Sequence, residues 1–170
     1  MKDWDFRYDL LPLKDKLFRL AYRITLHTAE AEDITQDTLI RVWNKRHELE
    51  DVRSLEAYCL TVCRNLANDR RELHEAQNLS LDGTPCDAPD NADEIDSRME
   101  RDERLQWVHR LMAKLPEKQR TILHLRDIEG HSYHEIADIL GVSEEQVKVN
   151  LFRARRWIKE QYEKIENYGL

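Results

Sequence analysis

The chain has 170 residues, with 27 Lys+Arg against 34 Asp+Glu for a formal charge of −7, and 36% of its residues are charged while only four are Gly and four Pro. So few chain breakers among so many charges favour an all-α protein over a sandwich or barrel. No run of 18 uncharged apolar residues is present to span a membrane. The start, Met1-Lys2-Asp3-Trp4-Asp5, is too polar for a signal peptide. Three cysteines are an odd number and do not make a disulfide framework. The expectation is a soluble, cytoplasmic helical protein, and the net charge taken whole argues against a nucleic-acid partner.

The charge is not spread evenly. Residues 1–75 carry a net −2, residues 76–100 a net −6 and residues 101–170 a net +1. The middle stretch also holds two of the four prolines, and its low hydrophobicity cannot offset the entropy of ordering it. It is read as a flexible acidic linker between two small helical domains.

In the first domain, Leu10, Leu13, Leu17, Leu20, Ala21 and Ile24 recur at helical spacing. A second helix is expected from Thr28, whose hydroxyl can cap it, through Ile34, Leu39, Val42 and Trp43. After the polar segment 44–53, a third is expected over 54–73 with Leu55, Tyr58, Val62 and Leu66 on one face. On the second helix Asp33, Gln36 and Asp37 share a polar face. Two carboxylates at i, i+4 can bind a metal, but no histidine accompanies them there, and a solvated or docking face is the preferred reading. On the third helix, Arg64, Asn65, Asn68, Arg70 and Arg71 crowd basic groups and amides, which suit phosphates and base edges.

From Arg101 the apolar spacing resumes with Leu105, Val108, Leu111 and Met112, and breaks at Leu115-Pro116. Pro116 fits the first position of a next helix, and Gly130 fits its left-handed end. Ser132 with Glu135 reads as a capping box. Ile136, Ala137, Ile139 and Leu140 then face inward, Gly141-Val142 turns, and Ser143 with Gln146 caps a second helix. Small Ala137 permits a close crossing, and the layout is a helix-turn-helix whose second helix enters the major groove. Residues 146–159 hold Lys148, Arg153, Arg155, Arg156 and Lys159 and no acid, a local +5 whatever the global charge. Cys59 and Cys63 are expected as core thiols and Cys86 as an exposed linker thiol, while His131 and His134 are expected to face solvent. No cofactor, metal or catalytic constellation is evident, so no enzyme is predicted and no small-molecule substrate.

Two motifs then carry a resemblance. The run from Ala31 to Trp43 (AEDITQDTLIRVW), and the segments Leu115-Pro116 to Arg120, Leu125-Arg126 and Gly130 to Ser143, resemble the small extracytoplasmic-function group of bacterial RNA polymerase sigma factors. Arg64-Asn65 to Asp69 is similar to that family's signature before the linker. The resemblance implies two domains, 1–75 and 101–170, tethered by 76–100. It implies docking of Asp33, Gln36, Asp37 and Arg41 on the clamp helices of the largest subunit of core RNA polymerase. It further implies reading of the minus-10 promoter element by the loop 44–53 and Asn65, with a base flipped out of the stack, and nearby backbone contacts by Arg64, Asn68, Arg70 and Arg71. In the second domain it implies minus-35 recognition by Ser143, Glu145, Lys148, Val149, Phe152, Arg153 and Arg156, with Arg155 nearer phosphate or the core. An anti-sigma factor is an implied partner. Where relatives place Ser-Arg after the first basic residue of the reading helix, this chain has Val149-Asn150, so family promoter sequences do not transfer. A helix-turn-helix regulator that is not a polymerase subunit remains the alternative at this point.

Overall fold

The computed structural model describes residues 3–80 and 103–167, and every regular element among them is helical. The chain divides into two units, Met1–Pro89 and Asp90–Leu170. The expected linker falls, for residues 81–100, outside the described residues. Its first five positions belong instead to the last turns of a helix.

In the first unit, a short wide turn Phe6–Leu10, capped by Asp5, and a tight turn Leu11–Leu13 lead into α1 (Lys14–Thr25), α2 (Thr28–Asn44) and α3 (Leu55–Ser80). The three helices pack on one another. The α1–α2 corner is made by Leu26, which takes a left-handed φ of 57° so that its amide can reach the Tyr22 carbonyl at 2.7 Å. Capping of α2 differs from the sequence expectation. His27 is the cap, its Nδ1 accepting from the Glu30 amide at 3.3 Å, and Thr28 is already helical with a buried hydroxyl that has no partner among the described residues. An imidazole nitrogen one residue earlier reaches the orphan amide that a threonine already in the helix cannot.

The core face of α3 also departs from the expected stripe. Cys59, Leu60, Cys63 and Ala67 are buried, whereas Leu55, Tyr58, Val62 and Leu66 are half-buried. The cause is size. Small side chains let α3 approach α1 closely enough for the Cys63 thiol to donate to the Leu17 carbonyl at 3.3 Å, and the larger residues flank that seam. Leu17, Leu20 and Ile24 of α1 and Ile34 of α2 complete the centre. Thr35 and Thr38 are buried too, each hydroxyl returning to the carbonyl four residues back at 2.7 Å, which removes the cost of an unpaired group.

The second unit comprises α4 (Glu103–Lys114), α5 (Glu117–Leu123), a wide turn His124–Ile128, α6 (Tyr133–Leu140) and α7 (Glu144–Asn167). Helix α7 packs against α4, α5 and α6, and Met112, Ile122, Leu125, Ile136, Ile139 and Leu151 fill the middle. Pro116 is the cap of α5, with ψ 144°, rather than its first helical residue. Gly130 adopts φ +78° as expected, and the His131 amide returns to the Leu125 carbonyl at 2.9 Å. Arg120 is buried with its guanidinium on the Leu115 carbonyl at 2.8 Å, so the Leu115-Pro116 break is stapled from within. His131, expected in solvent, is buried. Its Nδ1 meets Glu135 at 2.8 Å, because the turn at Gly130 brings the chain back so that the His131 amide reaches the Leu125 carbonyl. His134 does face solvent, between Asp138 and Glu144.

Candidate nucleic-acid interface

The helix-turn-helix of the second unit is built by two caps and one glycine. The Ser132 hydroxyl accepts from the Glu135 amide at 3.1 Å and starts α6. Gly141 ends it at φ +66°, its amide on the Ala137 carbonyl, and the Val142 amide shares that acceptor at 3.1 Å. A reciprocal box then opens α7: the Gln146 amide donates to Ser143 Oγ at 3.1 Å and the Ser143 amide to Gln146 Oε1 at 3.3 Å. Val147, Leu151 and Ala154 turn inward. Lys148, Val149, Phe152, Arg153 and Arg156 are consequently all exposed, Phe152 at 64% and Val149 at 46%. Cations at this spacing suit phosphates and guanine edges, and exposed apolar groups suit thymine methyls. Glu145 is exposed at the helix start and Ser143 is engaged as its cap.

Three neighbours of this helix lie outside the site expected from sequence. The Tyr133 ring has the Arg126 guanidinium 4.5 Å from its centroid and Lys148 Nζ at 5.7 Å, so one aromatic ring gathers two cations beside α7. Asp127 takes Arg155 through a forked pair, with Nε on Oδ2 at 2.9 Å. Arg155, one of the five local cations, therefore already has a carboxylate, whose hydrogen bond holds its proton more tightly than usual. The Leu125-Arg126 motif is visible in the sequence, but the tyrosine between the cations is not, since the three side chains come from separate segments.

In the first unit, Asp33 and Gln36 are exposed and Asp37 half-buried on α2, with Ile40 56% exposed beyond them. Their companion is Arg70 of α3. Its Nη1 lies 2.9 Å from Glu30, and its Nη2 lies 2.6 Å from Asp33 and 3.0 Å from Asp37. Arg70, expected from sequence among the promoter contacts, thus joins Asp33 and Asp37, expected to dock polymerase, in one cluster. Glu30 completes it, receiving His74 at 2.8 Å. Burial pushes the Glu30 carboxyl up, but hydrogen bonds from His74 and Arg70 outweigh it and hold the group below its ordinary value.

Arg64 organises the amides of α3. Its Nη1 donates to Asn65 Oδ1 at 3.3 Å, and the Asn68 oxygen accepts from its Nε and Nη2, each at 3.1 Å. Arg71 pairs with Glu75 one turn on, at 2.7 Å. Asn65 lines a cleft of about 440 Å³ together with Tyr58, Asp69, Asn44, Lys45 and Arg41. Arg41, grouped by sequence with the docking acids, lines this cleft. The exposed amide, the phenol ring and the carboxylate supply a stacking surface with both donors and acceptors. Trp43, at the end of α2, is fixed edge-on against Phe6 and beneath Arg46, whose guanidinium sits 4.1 Å from the ring centroid. Among the described residues no three His, Cys, Asp or Glu side chains are arranged to hold a metal, and no helix is long and apolar enough to cross a membrane.

Comparison with known proteins agrees with both units. Residues 12–75 match Sigma-70 region 2, and residues 105–158 match Sigma-70 region 4. The ECF RNA polymerase sigma factor SigL of Mycobacterium tuberculosis is 30% identical over 146 residues, spanning 84% of this chain and 80% of that protein. SigW of Bacillus subtilis is 27% identical over 168 residues, spanning 94% and 90%. Among solved structures, the sigma factor RpoE of Bartonella quintana, crystallised with the anti-sigma factor NepR, superposes with a TM-score of 0.77. It is 24% identical, with 94% of this chain and 97% of that one covered, and shows the shared fold. The chain belongs to the extracytoplasmic-function group of the sigma-70 family. It is a polymerase-associated sigma factor, which directs promoter-specific transcription initiation, and the free-standing helix-turn-helix regulator is not favoured.

Proposed function

We propose a division of labour in which the domain of residues 1–75 docks core polymerase and opens the minus-10 element while residues 101–170 read the minus-35 element, with the chain that follows the end of α3 at Ser80 as tether. The observation that supports this most is the outward face of α7. Its exposed cations and apolar side chains alternate along one helix, seated by a two-cap turn and free of acid from residue 146 to 159. Lys148 and Arg153 supply phosphate or guanine contacts, with Arg156 beside them on phosphate. Val149 and Phe152 supply methyl contacts. Glu145 accepts from cytosine and excludes phosphate.

In the first domain, Asp33, Gln36 and Asp37 meet cations of the polymerase clamp helices, with exposed Ile40 as the apolar centre of that contact. The Asn65 cleft takes a base unstacked from the non-template strand, and Tyr58 offers the stacking surface. Extracting that base costs a few kcal/mol, which stacking and hydrogen bonds in the cleft must repay. An initiation factor of this kind needs no catalytic group of its own and acts on DNA in the cytoplasm. An anti-sigma protein is a fitting further partner, as NepR is for RpoE.

Two small readers on an acidic chain bind free promoter DNA weakly, and polymerase supplies the missing affinity by holding both in register. In vitro transcription with purified core polymerase tests the whole reading. The chain should support run-off synthesis from its own promoter, and substituting both Lys148 and Arg153 by Ala should abolish minus-35 dependence while core binding persists. A chain that fails to bind core polymerase would refute it.

A further inference from the structure

The Arg70 guanidinium is planar and carries five donors in a fixed fork. Its two terminal nitrogens serve three carboxylates of α2: Glu30 at 2.9 Å, Asp33 at 2.6 Å and Asp37 at 3.0 Å. Three of its five donors are thereby committed to carboxylates. Two of the three acids are those assigned to the polymerase contact, so the docking face already carries a cation where polymerase must bring its own.

Exposure sets which of these bonds can be exchanged. Glu30 keeps only 21% of its side-chain surface, and its other oxygen is tied to His74. Asp33 and Asp37 keep 55% and 39%. Ion pairs this open to water are weak and replaceable, unlike buried ones. Arg70 also rides on the same helix as Asn65, five residues on, or roughly 7.5 Å along the axis.

We propose that Arg70 is an internal counter-ion of the docking face: it neutralises Asp33 and Asp37 in the free protein, and a polymerase cation displaces it, releasing its guanidinium to promoter phosphate. Core binding and promoter engagement are thereby coupled through one side chain. Free sigma is left with a quieter acidic face and one cation fewer for DNA. The proposal rests on the docking assignment above.

The test is a pair of measurements on the full chain, wild type against Arg70→Gln. Affinity for purified core polymerase is measured across a salt series, and the rate of open-complex formation is measured with core saturated. With the acids unmasked, R70Q should bind core about threefold or more tighter near 0.1 M salt, with the gain fading as salt screens the face. The saturated holoenzyme should open the promoter at least about threefold more slowly, one phosphate contact having been lost. Core affinity equal to or weaker than wild type overturns the proposal, and so does an unchanged opening rate. If R70Q does not fold, Arg70→Met carries the same comparison, since it removes the charge and every donor while keeping a long, helix-compatible side chain. A chain with Asp33→Asn and Asp37→Asn that keeps wild-type core affinity would overturn the docking assignment itself, which distinguishes that failure from a failure of Arg70 alone.

Discussion

Arg155 of α7 is joined to Asp127 of the turn before α6 by two parallel hydrogen bonds, and this fork commits one of the five cations of residues 146–159 to an acid. Its partners are partly exposed, 48% and 38%, so the pair contributes no more than about 1 kcal/mol to the stability of its unit. The expected consequence is a split among cations that look equivalent in sequence. Substituting Lys148 or Arg153 by Gln should each reduce the slope of log affinity against log salt by about one, while Arg155→Gln leaves it unchanged. Asp127→Asn should act the opposite way, freeing Arg155 and strengthening non-specific binding. Salt titrations of holoenzyme on promoter and random DNA decide this, and an R155Q slope as shallow as that of R153Q would contradict it.

Gly141 sits at φ +66° with nothing within 4 Å of where a Cβ would be. The demand for glycine is therefore one of backbone conformation and not of space. Replacement by Ala should cost about 1–2 kcal/mol, measured as a shift in urea midpoint of the second unit. Asn tolerates this region, so Gly141→Asn should cost clearly less. Equal losses for the two would mean that a contact, not φ, is at stake.

Stability should fall at acid pH through two carboxylates. Hydrogen bonding from the His131 ring holds Glu135 below its ordinary value of 4.5, despite some burial, and Glu30 is held low by His74 and Arg70. Because folding depresses both, their contribution is fully present above the unfolded value and disappears as pH drops below about 4.5 through the folded values. Each group lies in a different unit, so Glu30→Gln should flatten the acid limb of the first unit only and Glu135→Gln that of the second. Urea melts followed at several pH values, read per unit, check this.

Burial, assisted by the charge of Glu56, pushes the Cys59 thiol up to about 12. Burial also takes Cys63 to about 12. Thiolate is the reactive form, so at pH 8 neither should react with a thiol reagent until the first unit opens. The labelling rate at these two residues, resolved by peptide mapping, should rise with urea in step with unfolding. Fast labelling in native buffer would show a seam looser than the 3.3 Å thiol–carbonyl contact implies.

The second unit is the more legible in sequence, and the reason is local. Ser132–Glu135, Gly141 and Ser143–Gln146 are each complete within four residues, so capping chemistry alone sets α6, the turn and the exposed face of α7. The first unit is held by pairings distant in sequence. The α3 seam of Cys59, Cys63 and Ala67 is hidden behind larger apolar residues, because hydrophobicity ranks Leu and Val above the small side chains that closest packing requires. His27 displaces Thr28 as a cap because backbone geometry, not residue preference, decides which atom reaches the Glu30 amide. The Arg70 cluster is half visible. Glu30, Asp33 and Asp37 at i, i+3, i+7 mark one face of α2, but nothing in that spacing says which basic residue, about forty positions on, will answer it.

That cluster has a consequence for inheritance. An apolar residue at position 70 would leave three carboxylates within reach of one another with no cation among them, and a neutral residue at 33 or 37 would leave the guanidinium under-committed. Neither side can drift alone without cost. Positions 30, 33, 37 and 70 should therefore change together among descendants of this chain, as a block of lineage that ties α2 to α3.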